Sequence, residues 1–260
     1  LGCELDDIVV FGSDTDISPY DSGSYASSTA YLTGTAVVKT CEALKEKILH
    51  KAAKYLETGA EELEFDGKRV YKLACGEDGT KKEISIKDLA NRVQCANEDA
   101  LQVTQSHSSP ISPPPFMAGA AEVEVDLETG QVELIKFAAA VDCGTPLNEN
   151  LARVQTEGGL VQGIGMALYE DVSYSKDGKV HENSFMQYKV PSRLDVGRVQ
   201  VEFESSFEPT GPFGAKSIGE VVINTPSPAI ANAVYNAVGV RIRELPITAE
   251  KVFKGMNGLD

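Results

Sequence analysis

Two glycine-containing turns, each set between alternating apolar and polar residues, constrain the fold of this chain most. Asp66 and Gly67 lie at the centre of the first such segment, residues 62–73, and Gly130 ends the turn of the second, residues 122–135. This pattern is typical of β-hairpins, in which neighbouring strands run antiparallel. Because the hairpins alternate with helical patterns, the sequence predicts an α+β fold of layered mixed sheets and packed helices rather than a doubly wound parallel sheet.

Helical periodicity is clearest between Ala30 and Gly59. Apolar residues recur there every three or four positions, which predicts one long amphipathic helix; they are Val37, Cys41, Leu44, Ile48, Ala52 and Tyr55. Near the other end, Ser227 is predicted as an N-cap with Pro228 at the first helical position, and Gly239 ends that helix. The other predicted elements are helices at 86–93 and 149–168 and strands at 5–11 and 199–207.

The chain is predicted to be one module over residues 1–260. This length suffices to bury a core without disulfides or a structural metal. A weak subdomain break is expected within residues 104–118, where Pro110 and three consecutive prolines from Pro113 interrupt regular structure. Because the chain starts at Leu1 rather than at a methionine, we expect a subunit or fragment whose natural neighbour is another polypeptide.

Charge and cysteine content exclude several classes of partner. Acidic residues outnumber basic ones by 39 to 24, and the net charge of −15 repels nucleic acid and anionic lipid. No apolar run is long enough to span a bilayer. The cysteines are odd in number and form no C-x-x-C pair, which favours reduced thiols in the cytoplasm and argues against zinc or an iron–sulfur cluster held by this chain alone. They are Cys3, Cys41, Cys75, Cys95 and Cys143.

The segment 211–220 is the first candidate for chemistry. Glycine, proline and alanine prevent a regular element over most of it, and it ends in the carboxylate of Glu220, directly before an apolar run at 221–223. A lone acid delivered in this way onto a buried segment is how a protein places a base in a dry pocket. The alternative is a surface loop closed by a solvated glutamate.

Two further segments are rich in small residues. Residues 23–29 precede the long helix, and their accessible amides and hydroxyls, with the helix dipole, predict a site for a phosphate-bearing ligand; the alternative is a serine-rich turn with an N-cap. Residues 157–165 contain four glycines in a helical context around Gln162. Each costs about 1 kcal/mol relative to alanine, which indicates close approach of a ligand or simply tight helix packing.

Two nucleotide-binding motifs are absent. The glycines near Gln162 lack the G-x-G-x-x-G spacing of a dinucleotide site. Lys216 and Ser217 follow Ala215, whereas a P-loop requires glycine directly before the Lys-Ser pair. We therefore do not expect a nucleotide triphosphatase.

Taken in order, these segments resemble the C-terminal part of the molybdopterin-binding subunit of the xanthine dehydrogenase family. The resemblance rests on residues 19–28, 161–165 and 211–220 and on the turn at 142–144 between the first two. It covers essentially the whole chain and implies the molybdopterin-binding fold of that family. The glycine-glutamine-glycine loop of the family's earlier half is absent from this sequence, as in a split molybdenum subunit of the kind found in the nicotinate dehydrogenases.

The resemblance also implies roles for individual residues. Ala26 is similar to a family position beside the metal, Gln162 to the glutamine that hydrogen-bonds the cofactor, and Glu220 to the catalytic base. Gly219 flanks the cofactor in this comparison. The other implied cofactor-binding residues are Gly23, Ser24, Tyr25, Ser27 and Ser28.

The implied activity is that of a molybdenum hydroxylase. It would hydroxylate an N-heteroaromatic substrate such as nicotinate, with water as the oxygen source. The implied cofactor is molybdopterin, as the cytosine dinucleotide, with molybdenum and a terminal sulfur or selenium. The implied partners are a large molybdopterin subunit with the missing half and subunits with iron–sulfur clusters and FAD. The alternatives are a purine or aldehyde hydroxylase subunit and a non-catalytic module that covers a partner's cofactor.

Overall fold

The computed structural model describes residues 1–74 and 81–259, which divide into two compact units. Cys75 lies outside the described residues. The first unit comprises residues 1–23 and 32–110, and the second comprises residues 24–31 and 111–260. The division after Pro110 falls inside the proline-rich segment at 104–118. Among the helices of the described part, none combines the length and apolar character needed to cross a bilayer.

The first unit is a three-stranded antiparallel sheet with two helices. Its strands β1 (Leu63–Phe65), β2 (Arg69–Lys72) and β3 (Glu83–Ser85) pair in that order, so the first hairpin prediction is confirmed. Helices α1 (Thr29–Leu56) and α2 (Ile86–Cys95) also match their predicted positions. The core of this unit contains Ile48, Ala52, Leu63, Phe65, Val70, Ile84, Leu89 and Val93.

The second unit is built on a three-stranded mixed sheet. Strand β4 (Phe116–Val125) pairs antiparallel with β5 (Val132–Asp142), which confirms the second hairpin, and β6 (Arg198–Phe203) pairs parallel with β5. Helix α3 (Glu149–Leu168) connects β5 to the region before β6, as a parallel connection requires. Mixed sheets with packed helices confirm the α+β prediction.

Two more helices, α4 (Pro226–Val238) and α5 (Ala249–Asn257), complete the second unit. Its largest fully buried side chains come mostly from the sheet and from the helices, and they include Phe137, Val141, Leu160, Ile164, Ile230, Val234 and, in α5, Val252. The sheet and these helices therefore share one core, to which the connecting segments also contribute Cys143, Val196 and Ile247.

Three predictions of local structure were wrong. Residues 5–7 form a 3₁₀ turn, and Val9 and Phe11 are 88% and 70% exposed, so the apolar run at 5–11 has neither a strand partner nor a core to face in the described chain. Strand β6 ends at Phe203, four residues before the predicted end. Helix α4 starts two residues early, with Thr225 as its N-cap.

Candidate functional site

The turn that follows β5 anchors the glycine-rich segment 211–220. Gly144 and Ala215 form an isolated antiparallel bridge, and the Lys216 amide donates to the Cys143 carbonyl at 2.7 Å. Gly144 has a φ of +71°, and a Cβ at this position would lie 2.3 Å from the Gly214 carbonyl oxygen. Only glycine permits this approach, so the turn at 142–144 and the segment 211–220 form one backbone unit.

A buried ion pair reinforces this contact. Lys216 Nζ lies 2.6 Å from Asp142 Oδ2, and Ser206 Oγ donates to Asp142 Oδ1 at 2.6 Å. Burial alone would raise the pKa of Asp142, but hydrogen bonds from Lys216, Ser206 and the Gly144 amide hold it below its ordinary value. Lys216 is 8% exposed, and its charge is paired with the Asp142 carboxylate.

Glu220 lies at the end of the anchored segment. The 3₁₀ turn Val221–Ile223 follows it, and Val222 is fully buried, so the backbone behind the carboxylate is fixed by packing. The carboxylate itself is exposed in this chain. Ser27 Oγ donates to Glu220 Oε2 at 3.1 Å. The fold of the second unit thus joins two predicted site segments that are 193 residues apart.

The contact between the two segments leaves no room for a side chain at Gly219. A Cβ there would lie 2.7 Å from Ser27 Oγ. On the other side of the contact, Ala26 and Ser27 have φ values of +50° and +53°. Two successive non-glycine residues in the left-handed region are uncommon and strained, which is typical of backbone held for a function.

A cleft of about 550 Å³ opens beside this contact. The residues that line it come from the loop before α1, from the turn after β5, from the first half of α3 and from the segment 211–220. Those with polar side chains or small size are Ser24, Ser27, Ala30, Thr145, Asn148, Gln155, Lys216 and Gly219; the apolar ones include Leu147 and Leu151. Of the predicted site residues, Ser24, Ser27 and Gly219 therefore line one cleft.

Gly23, Tyr25 and Ser28 belong to the same predicted loop but do not line the cleft. Ser28 is 8% exposed, and its hydroxyl donates to the Tyr25 carbonyl at 2.9 Å, which closes the turn before α1. Tyr25 is itself 62% exposed. Gly23 belongs to the first unit, has a φ of +99°, and donates its amide to Asp21 Oδ1 at 2.8 Å.

Gln162 is exposed on α3 and lies outside the cleft. Gln155, seven residues earlier, lines the cleft instead, and the sequence analysis missed it. Positions seven apart share a face of a helix, so the spacing of the two glutamines was the available signal. Of the glycines around Gln162, Gly159 and Gly163 pack against Val222 and Pro226, which explains both as sites of tight packing.

The chain was also compared with known proteins. Residues 1–197 match the family described as "Molybdopterin cofactor-binding domain". The probable hypoxanthine oxidase of Escherichia coli (strain K12) is 34% identical over 98% of this chain and 26% of its own length. Subunit gamma of the 6-hydroxypseudooxynicotine dehydrogenase complex of Paenarthrobacter nicotinovorans is 31% identical over 98% of this chain and 33% of its own length.

A solved structure gives the same result. Reconstituted CO dehydrogenase from Oligotropha carboxidovorans superimposes with a TM-score of 0.84 at 27% identity, over 97% of this chain and 32% of that one. The chain thus corresponds to between 26% and 33% of the length of these three proteins.

Proposed function

This chain belongs to the xanthine dehydrogenase family of molybdopterin-binding subunits, and on that premise we propose that it forms part of a molybdenum-dependent hydroxylase. The proposed substrate is an N-heteroaromatic compound such as nicotinate, with water as the oxygen source. One relative supports this substrate class, because the name of the 6-hydroxypseudooxynicotine dehydrogenase complex refers to a nicotine derivative. The observation that carries the proposal is the contact of Ser27, Gly219 and Glu220 beside one cleft.

The residues at the cleft fit a phosphate-bearing pterin. Helix α1 has 28 residues and no acidic side chain in its first turn, so its positive N-terminal end favours an anion, and the Glu220 carboxylate already lies near this end through Ser27. The left-handed backbone at Ala26 and Ser27 adds a fixed turn in front of that helix. Since Lys216 is already paired with Asp142, backbone groups and hydroxyls are the main donors available.

We assign the cofactor contacts accordingly. Ala26 is proposed to lie beside the metal, and Gly219 is proposed to contact the pterin. Gln162 lies outside the cleft, and its proposed contact with the pterin rests on the family resemblance. The loop residues proposed to hold it are Gly23, Ser24, Tyr25, Ser27 and Ser28. When bound, molybdenum with its pterin supplies the two-electron redox chemistry. The cytosine dinucleotide form and a terminal sulfur or selenium belong to the same proposal.

Glu220 is the proposed general base. A carboxylate suits this role when the proton it removes is already acidic. Ser27 Oγ donates to Oε2 and fixes the plane of the carboxylate, so we assign proton transfer to Oε1. Because Glu220 is exposed in this chain, a dry environment for the transfer has to be completed by another part of the enzyme.

The proposed enzyme therefore works as a complex. A large molybdopterin subunit supplies the opposing wall, and iron–sulfur and FAD subunits carry the electrons away. The cysteines Cys3, Cys41, Cys95 and Cys143 are all free thiols in the described part of the chain, in agreement with the cytoplasmic location that we propose.

Replacement of Glu220 tests the proposal. In the assembled enzyme, Glu220→Gln should lower turnover by about 10²–10⁴-fold, the usual contribution of a positioned base, while molybdenum content stays at the wild-type level. The matched control is Glu204→Gln, which removes another exposed glutamate of the second unit. Wild-type turnover in Glu220→Gln would contradict the assignment. A change in stability without a change in rate would instead favour the non-catalytic, cofactor-covering module.

A purine hydroxylase is the second candidate, because the probable hypoxanthine oxidase is 34% identical to this chain. Competition between the two substrates separates the candidates. With nicotinate and hypoxanthine present together, the N-heteroaromatic acid should be consumed first if the main proposal holds. Preferential consumption of hypoxanthine would select the second candidate.

A further inference from the structure

Helix α3 has one buried face and one exposed face of unusual composition. The buried face packs in the core through Thr156, Leu160, Gly163, Ile164 and Ala167. The opposite side, which we call the outer face of α3, consists of Leu151, Val154, Gln155, Gly158 and Gln162, all exposed. Successive members of this set are one, three or four positions apart, and together they follow one side of the helix over about 16 Å. None is charged, although 24% of the chain is Asp, Glu, Lys or Arg.

Two apolar residues of the outer face are strongly exposed. Leu151 and Val154 each retain 67% of their accessible surface. The solvent side of a helix normally carries charged and polar residues, and contiguous exposed apolar surface marks a site of interaction. This surface therefore lacks the composition expected of a helix side that stays in water.

Gly158 is the most specific feature of the outer face. A Cβ at Gly158 would meet no atom within 4 Å, whereas at the neighbouring Gly159 it would lie 2.1 Å from Val222 Cγ2. Packing within the chain thus explains why residue 159 is a glycine but not why residue 158 is one. Glycine in the interior of a helix weakens it, and close approach by another backbone is the physical reason for such a residue.

The outer face is continuous with the candidate site. Leu151 and Gln155 belong to the outer face and also line the cleft beside Ser27. A body that closes the open side of that cleft therefore extends directly onto the helix. Its contact surface has to be largely uncharged to match the five residues named above.

We propose that the outer face of α3 is the docking surface for the remainder of the molybdenum subunit, and that a backbone segment of it crosses the helix at Gly158. The remainder means the part of the relatives' length that lies beyond the 26–33% matched by this chain. This inference rests on the proposed function, since only a molybdenum subunit needs the cleft closed by that part. The occupant is therefore the remainder of the subunit and not a second copy of the chain, because the proposed function does not require a second copy to close the cleft.

Thiol labelling in the assembled enzyme tests the proposal. Gly158→Cys should react with a maleimide about tenfold more slowly than Ala237→Cys, because a covered thiol reacts only when it becomes accessible. Ala237 is a matched control, since it is a small exposed residue on α4 of the same unit. Equal labelling rates would overturn the docking surface.

Enzyme produced in a host that cannot make molybdopterin distinguishes a protein cover from the cofactor. Gly158→Cys should remain protected in that enzyme; rapid labelling there would mean that the cofactor covers Gly158, and the proposal would be wrong. A second variant, Gly158→Trp, should reduce recovery of the assembled enzyme by about tenfold relative to Ala237→Trp, because a large side chain cannot fit under a crossing backbone. Recovery equal to that of Ala237→Trp would also count against docking.

Failure of this inference is distinguishable from failure of the proposed function. Labelling at residue 158 is measured without turnover, whereas the role of Glu220 is measured by turnover. Protection of Gly158→Cys together with full activity of Glu220→Gln would retain the docking surface and reject the proposed base. Rapid labelling of Gly158→Cys together with loss of activity in Glu220→Gln would reject the docking surface and retain the proposed base.

Discussion

The two units of the chain place their left-handed residues differently. In the first unit, Glu57 and Asn97, with φ values of +47° and +57°, lie one and two residues after the ends of α1 and α2, whereas Ser13, with a φ of +61°, lies in the segment before α1. A left-handed residue is a common way to end a helix. In the second unit, Ala26, Ser27 and Phe213 have φ values of +50° to +53°, and they lie in the two segments that form the candidate site. Of the left-handed non-glycine residues in the described chain, two of the three in the first unit follow helix ends, whereas all three in the second unit lie in the site segments.

The ion pairs of the two units also have different structural roles. In the first unit, Glu98 accepts hydrogen bonds from Lys51, Lys54 and Tyr55. The Lys54 side chain is 65% exposed, and those of Lys51 and Glu98 are 21% and 16% exposed. In the second unit, the Lys216 side chain is 7% exposed and its pair with Asp142 lies under the site segments. The first arrangement ties α1 to the chain after α2, whereas the second holds the backbone on which Glu220 is mounted.

The largest effect is expected from breaking the buried pair. Lys216→Met would leave the Asp142 carboxylate without its partner and should lower the free energy of unfolding of the second unit by about 3–5 kcal/mol. Urea unfolding, followed by hydrogen exchange of β5, measures this change. The matched control is Lys254→Met, which breaks a pair between exposed side chains within α5 and should cost less than about 0.5 kcal/mol. Equal losses of unfolding free energy in the two variants would mean that the buried pair stabilises the second unit no more than an exposed pair does.

Local sequence patterns were sufficient to predict most regular elements. The 3.6-residue periodicity over α1 and the turns at Asp66-Gly67 and Gly130 depend on neighbouring residues, and all three were confirmed by the structure. The apolar run at residues 5–11 has the composition of a strand, but a strand also requires an edge with which to pair. Composition alone does not reveal whether such an edge exists, and that prediction was wrong.

The candidate site was only partly predictable for a similar reason. The glycine-rich segment and the loop before α1 stand out in the sequence, and the resemblance placed both at one cofactor. The buried pair of Asp142 with Lys216 was not predicted, because residues 74 positions apart are brought together only by the tertiary fold. Gln155 was not predicted, because its seven-residue spacing from Gln162 indicates a shared helix face, whereas only the structure shows which turn of α3 borders the cleft.

A medium effect is expected from relieving the left-handed residues. Ala26→Gly and Glu57→Gly should each stabilise their own unit by about 1 kcal/mol, since glycine adopts positive φ without steric penalty. If strain in the second unit serves the site, Ala26→Gly should also lower turnover of the assembled enzyme, while Glu57→Gly leaves it unchanged. Thermal unfolding and turnover together measure the two effects. Unchanged turnover in Ala26→Gly would mean that the left-handed conformation of residue 26 does not contribute to catalysis.

The smallest effect is expected at Glu98, and it depends on pH. Hydrogen bonds from Lys51 and Lys54 are the main causes that lower the pKa of Glu98 from 4.5 to about 2. A carboxylate with a depressed folded-state pKa stabilises the fold above its unfolded value, and this contribution is lost as the pH falls from about 4.5 towards 2. Hydrogen exchange of α2 should therefore accelerate across this range more in the wild type than in Glu98→Gln, which has no carboxylate to protonate. Other acids, such as Asp66, also have a lowered pKa, but they are common to both proteins and cancel in the difference. Parallel pH profiles for the two proteins would show that the lysine contacts of Glu98 do not stabilise the first unit.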